Sequence, residues 1–387
     1  MLTRFMVLSF LLLLSPLTHG KCELKGHPEL AQEVLAEIKK TFNSCSTNIH
    51  LTFDDGPSAQ HTSVLLKELK ARKVRASFFI TTTNLDPKHS HYSENKKIAE
   101  AILSEGHLMA NHGHDHAAYD LRMNAEGKVL EAGFSQNQRE AQLKKSIDLL
   151  DSATKGKFSK QSLKLFRFPY GRGAMPSQRE LQEMARSGQI KLSSSDYASQ
   201  LKEYRGQSAS LQTLAGQGFS HLGWNHDSQD SSHGANMPGK DVLKKYILNN
   251  LKSFCASKAP MQVALFHDIK AMNTVAIPVL VDVGQCLGMN FVSAQEMEKQ
   301  KASLVDRGVY IPKKATEEAP FRNMEDLLSS IMQDGVKVGC EEEERDKSCY
   351  SAQYQRSYAH CSGGESICFE GKWYSKTDPL VESCRLP

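Results

Sequence analysis

From Asn48 onward the chain alternates short apolar runs with amphipathic segments, and this alternation restricts the fold more than any other feature. Residues 49–53, 76–80, 107–110, 163–168, 219–224, 263–266 and 290–293 read as strands, with 190–192 as a further short candidate. Residues 63–72, 94–104, 139–152 and 240–254 read as helices between them. Repeated strand–helix alternation implies an α/β domain with a parallel sheet or barrel. Ahead of it, residues 27–42 carry Leu30, Val34, Leu35 and Ile38 on one helical stripe. The stretch 177–219 carries no motif and reads as an extended loop region.

The two ends have a different character. Residues 1–20 read as a secretory signal: Arg4 supplies the basic start, Phe5 opens an apolar run of ten, and Thr18-His19-Gly20 closes it. That run is shorter than the roughly 20 apolar residues a membrane span needs, and no other stretch is long and apolar enough, so no integral span is expected. Export across an inner membrane, to the periplasm or outside, makes disulfides the default state of cysteine. The chain has nine cysteines, five of them in residues 340–387. None forms a Cys-x-x-Cys pair, which speaks against a structural zinc knuckle. Residues 310–320 hold Pro312, Lys313, Lys314 and Pro320 and read as linker, followed by a helix at 321–332. The expected organisation is a signal (1–20), a helical segment (21–47), the α/β unit (48–304), linker and helix (305–339) and a disulfide-stapled module (340–387). In that module Trp373 and Tyr374 either fill a small core or stack on sugar.

Composition excludes several classes. At 40% hydrophobic and 24% charged residues the chain is neither disordered nor fibrous. A net charge of +4, from 48 basic and 44 acidic residues, lacks the strong basic excess of a dedicated nucleic-acid binder.

Polar clusters sit at the ends of the predicted strands, where ligand sites of α/β folds gather. The first is Thr52-Phe53-Asp54-Asp55-Gly56-Pro57. Neighbouring strand residues face opposite ways, but a strand turning into a loop can send both carboxylates to one site. The second is Asn111-His112-Gly113-His114-Asp115-His116. His112 and His116 are four apart and can reach one ion; His114 and His107 are rivals by position. Two histidines and one carboxylate leave zinc an open position for water. The others are Arg167-Phe168-Pro169-Tyr170-Gly171, Trp224-Asn225-His226-Asp227-Ser228-Gln229-Asp230 and Leu265-Phe266-His267-Asp268. Each alone has an ordinary structural reading; five in order at five strand ends do not.

Together these five segments resemble the motifs of the NodB-type polysaccharide deacetylases, over about residues 48–297. The resemblance implies a distorted (β/α) barrel, one divalent metal, most often Zn2+, and hydrolysis of acetyl groups from a glycan. Carried over by motif, Asp54 resembles the general base, and Asp55, His112 and His116 the metal ligands. Arg167 matches the arginine that holds the base, and Tyr170 the residue whose backbone N–H binds the oxyanion. Asp230 matches the aspartate that orients the catalytic histidine, and His267 that histidine. Leu265 matches a residue of the acetyl-methyl pocket, and Trp224 is a further substrate-binding candidate. Two positions depart from the pattern: Ser231 stands where a tryptophan is usual, and Gly113 where serine or threonine is common. The implied partner is an N-acetylated polymer, peptidoglycan first and chitin-type oligomers next. Ester O-deacetylation, or glycan binding without catalysis, are the competing readings.

Overall fold

The computed structural model describes residues 22–119, 122–123, 129–131, 134–171 and 208–313, and four strand segments between residues 349 and 375. The segment read as an export signal, the strand candidate at 190–192 and the helix expected at 321–332 fall outside the described residues.

The chain opens with helix α1 (Pro28–Ile38), followed by β1 (Asn48–Asp54), α2 (Thr62–Ala71), β2 (Ser77–Ile80), α3 (Tyr92–Ser104) and β3 (Leu108–Asn111). A small antiparallel pair, β4 (Arg122–Met123) and β5 (Val129–Glu131), precedes α4 (Gln136–Thr154) and β6 (Leu165–Phe166). Next come α5 (Ala209–Gly216), β7 (Ser220–Leu222), β8 (His226–Asp227), α6 (Lys240–Ala256) and β9 (Met261–His267). The unit ends with α7 (Asn273–Leu287), β10 (Asn290–Phe291), α8 (Ala294–Lys299), α9 (Ala302–Asp306) and β11 (Tyr310–Ile311). The nine-stranded sheet runs β11-β7-β6-β3-β2-β1-β9-β8, with β10 also beside β1. All its pairings are parallel except β7 with β11. It is the α/β unit that the strand–helix alternation implies, curled into the incomplete barrel that the family resemblance implies: edges β8 and β11 do not pair with each other among the described residues.

Apolar side chains leave both faces of the central strands. Phe78 packs into the cluster under the helices, whereas Phe79, one residue on, packs into a smaller cluster with Leu108, Leu165 and Val263. Strand β1 is buried along nearly its whole length, as a parallel strand covered on both faces must be. Its one imidazole, His50, is accommodated by hydrogen bonds to the Val292 carbonyl (2.9 Å) and Ser77 Oγ (2.8 Å). Burial lowers its pKa to about 4, so it is neutral at physiological pH.

Three sequence expectations need correction. Helix α7 escaped periodicity because Ile277, Val279, Leu280, Val281 and Val283 are all buried, which leaves no polar face to set a period. Helix α5 lies in the stretch read as loop, its first turn capped by Ser208 Oγ, which accepts from Leu211 N (3.1 Å). The stretch read as linker from Tyr310 begins as strand: Tyr310 and Ile311 are buried and pair with Leu222 and His221. At the other end, α1 packs against α6 and α7. Its flanks are fastened by disulfides Cys22–Cys286 and Cys45–Cys255. Asp282 of α7 accepts from the Lys25 and Gly26 amides (2.8 and 2.9 Å) and from Arg72 Nη2 (2.9 Å). The segment at 21–47 is thus fastened to the α/β unit. In the C-terminal region, β12 (Cys349–Ser351), β13 (Arg356–His360), β14 (Ser366–Phe369) and β15 (Lys372–Ser375) form an antiparallel sheet in that order.

Candidate active site

Strand register brings the motifs together. Asp54 is level with His267 of β9 on one side and Phe79 of β2 on the other. Ile80 is level with Asn111, and Asn111 with Phe166. The polar clusters therefore lie at the carboxyl ends of neighbouring parallel strands, the usual place for an α/β site.

Asp54 keeps strand geometry, but Asp55 takes φ 78°, in the left-handed region. That turn brings the second carboxylate back to the side of the first. His112 Nε2 lies 3.6 Å from Asp54 Oδ2 and 3.5 Å from Asp55 Oδ1. His116, also left-handed at φ 57°, places its Nε2 3.2 Å from the same Asp55 oxygen. Non-glycine residues held in this region cost about 1–3 kcal/mol each and persist only where their surroundings over-determine them.

Asp55, His112 and His116 converge so that one donor atom from each lies within 4.8 Å of the others. His112 Nδ1 is 2.7 Å from the Arg167 carbonyl oxygen. A carbonyl only accepts, so Nδ1 carries the proton, and in the neutral ring Nε2 presents a bare lone pair to Asp55. Asp55 Oδ1 is buried and accepts no hydrogen bond. Lone pairs converging on a buried, unsatisfied carboxylate oxygen fit a cation between them, and the N,N,O donor set suits zinc. The rivals are engaged elsewhere: His107 Nδ1 accepts from Ala76 N (3.0 Å), and His114 Nδ1 faces Thr82 Oγ1 (3.1 Å).

Arg167 is wholly buried and spends its fork on four acceptors. Its Nη1 donates to Asp54 Oδ1 (2.7 Å) and Thr52 Oγ1 (2.8 Å). Its Nε and Nη2 donate to the Leu222 and Gly223 carbonyls (2.9 and 2.8 Å). The guanidinium lies over the Phe79 ring at 4.1 Å. Burial lowers its pKa while Asp54 opposes that shift. A buried cation with each of its three nitrogens hydrogen-bonded is a rigid anchor for one carboxylate oxygen.

Across the site, His267 Nδ1 faces Asp230 Oδ1 at 2.7 Å, and its Nε2 points inward, 4.0 Å from Asp55 Oδ2. Burial disfavours the imidazolium, but the Asp230 hydrogen bond and charge outweigh it and lift the His267 pKa to about 9. Asp230 Oδ2 in turn accepts from His267 N (2.7 Å) and Asn273 Nδ2 (2.6 Å). Next to His267, Asp268 is fully buried; desolvation raises its carboxyl to about 7, against a hydrogen bond from Thr62.

The groove candidates also line this end of the sheet. Leu265, two residues before His267 on β9, is buried on the same strand face. Tyr170 is left-handed (φ 59°), partly exposed, and set edge-on to His116 at 4.6 Å. Trp224 approaches Gly171 so closely that a Cβ there would lie 2.6 Å from its Cη2. The departures have local reasons or room. Gly113 sits at φ +86°, where a β-carbon is strained, and Ser231 is exposed in the short turn Asp230–Ser232. Sequence reasoning gave no role to Thr52, Asn273 and Asp268, which touch site residues, or to Thr62, which touches Asp268. Only Asp268 carried a signal, as a carboxylate directly after His267 at a strand end.

The model of the family described as polysaccharide deacetylase matches residues 43–190. A chitooligosaccharide deacetylase of Rhizobium leguminosarum bv. trifolii is 36% identical over 69 residues, 18% of this chain and 29% of its own length. A peptidoglycan-N-acetylglucosamine deacetylase of Bacillus cereus is 35% identical over 68 residues, 18% of this chain and 22% of its own length. The chain thus spans less than a third of either curated relative. Among solved structures, a polysaccharide deacetylase of Bacillus cereus aligns with 64% of this chain and 91% of its own, at 24% identity and TM-score 0.41. A family 4 carbohydrate esterase of Streptomyces lividans aligns with 64% and 92%, at 21% identity and TM-score 0.40. Over residues 43–190 the chain is similar to the polysaccharide deacetylase family.

Proposed function

We propose that the protein is an exported, zinc-dependent hydrolase that removes N-acetyl groups from N-acetylglucosamine units of a glycan, with peptidoglycan as the first candidate. The observation that carries this reading is the convergence of Asp55, His112 and His116. They lie between an Arg167-held Asp54 and an Asp230-held His267. Metal donors, a carboxylate base and an imidazole acid are the parts amide hydrolysis needs. Two disulfides and an apolar leader-like start support export. No helix among the described residues is long and apolar enough to cross a membrane.

When bound at Asp55, His112 and His116, a divalent cation supplies Lewis acidity, which makes water nucleophilic near neutral pH and polarises an amide carbonyl. Asp54, with one oxygen fixed by Arg167, takes the proton from the attacking water through its other oxygen. The Tyr170 amide donates to the carbonyl oxygen as it gains charge; one such donor is typically worth about 10²–10³ in rate. His267, protonated and oriented by Asp230, passes its proton to the leaving nitrogen. Acetate and a glucosamine amine result, with the acetyl methyl group directed toward Leu265.

The test is acetate release by purified protein, supplied with zinc, from peptidoglycan strands and chitooligosaccharides. Wild type should release acetate, and Asp54→Asn should lower the rate by about 10²–10⁴, the usual worth of a positioned base. Equal release by the two proteins would reject the mechanism. The preferred polymer in that comparison identifies the substrate, with the chitooligosaccharide arm testing the activity named for the Rhizobium relative.

A further inference from the structure

Asp268 takes no part in the chemistry just described, yet it grips the turn that carries both carboxylates. Its backbone N–H donates to the Asp54 carbonyl (3.3 Å). Its Oδ2 accepts from Thr62 Oγ1 (2.6 Å), and that hydroxyl oxygen accepts from Ser58 N (2.7 Å). A donor chain thus runs from the turn, through the first residue of α2, to the end of β9. The carboxyl lies so close to Gly56 that a Cβ there would sit 2.0 Å from Oδ2. On the opposite flank, Asn84 Nδ2 donates to the Asp55 carbonyl (2.7 Å) and Thr81 N to the Gly56 carbonyl (3.1 Å). Residue 55 is therefore held from both sides, and it is the residue whose left-handed backbone turns its side chain toward His112 and His116.

We infer that Asp268 is a positioning residue for the metal site: its buried carboxyl, packed on Gly56 and bonded to Thr62, braces the 54–58 turn so that Asp55 stays in the ligating conformation. A left-handed aspartate relaxes to commoner backbone geometry unless its neighbours prevent it, and Asp268 fills the space into which the turn would relax. The carboxyl is fully buried, and among the described residues no basic side chain bonds to it. A neutral amide of the same shape can replace it.

The inference rests on the reading of Asp55, His112 and His116 as a metal site. Full-length apoprotein is titrated with Zn2+ and with Co2+, by calorimetry and by the cobalt visible spectrum, alongside thermal melts without metal. Wild type should bind one ion. Asp268→Asn should bind within about threefold of wild type, and Asp268→Ala about 10- to 100-fold more weakly, the range for losing a supporting partner of a ligand. Gly56→Ala should also weaken binding, and should do so less when Asp268 is already alanine, because the clash partner is gone. If Asp268→Ala does not fold, Thr62→Val takes its place and should weaken binding about tenfold. Wild-type affinity in Asp268→Ala, or in Thr62→Val where that stands in, overturns the brace. Failure of wild type to bind either ion overturns the metal site itself.

Discussion

At the level of single residues, the site depends on which way a few side chains are turned. The Asp54-Asp55 pair at a strand end is visible in the sequence, but their shared direction is not, because it follows from one left-handed residue. The choice of His112 and His116 over His107 and His114 likewise needs the hydrogen bonds that occupy the other two rings. Asn273 was illegible: it follows His267 by six residues with no motif, yet it donates to Asp230 and to the His267 carbonyl (2.6 and 3.0 Å). Asp230 gives a prediction in pH. It lifts the His267 pKa to about 9, from an ordinary 6.5, so the acid form persists through neutral pH and is lost as pH rises through about 9. Asp230→Asn removes that charge. The basic limb of the kcat profile should then move at least one unit toward acid, with the rate at pH 8 falling more than the rate at pH 6. Profiles that superimpose would show that Asp230 does not tune the acid.

At the level of elements, the strands that carry chemistry were legible because each is a short apolar run ending in polar residues. Helix α7 was not, because a buried helix has no amphipathic signature. The short strands β8 and β11 are paired by their neighbours and have too few residues to show alternation. Helix α1 reads from sequence only as a helical segment, and it is its packing and the pairing of four cysteines that hold it to α6 and α7. The bridge Cys45–Cys255 spans 210 residues, so it removes much freedom from the unfolded chain. Replacing Cys45 and Cys255 by serine should cost about 2–4 kcal/mol in urea unfolding, the typical worth of such a bridge. Melting of the α1 region in hydrogen exchange should precede that of β1. Unchanged stability would mean that packing alone secures the helix.

For the molecule as a whole, the described boundary of the α/β unit lies past residue 304, because Val309, Tyr310 and Ile311 are buried against its edge. A chain ending at residue 313 should melt within about 2 °C of full length, whereas one ending at 307 should melt ~5 °C lower or more. Each large apolar side chain contributes about 1.5–3 kcal/mol when buried. Equal melting of the two truncations would place the boundary earlier. The four body cysteines pair with one another, so the odd cysteine of the nine falls among the five of residues 340–387. The order of strands in the sheet has a further consequence for the birth of the protein. Strand β1 lies between β2, which follows closely in the chain, and β9, whose Met261 is level with Asn48. On a ribosome Asp55, His112 and His116 emerge first, and Asp230 and His267 more than a hundred residues later. Until then β1 has one open edge and Asp54 lacks its neighbour at His267. Such long-range pairing makes folding late and slow, so the site is completed only after most of the chain has been made.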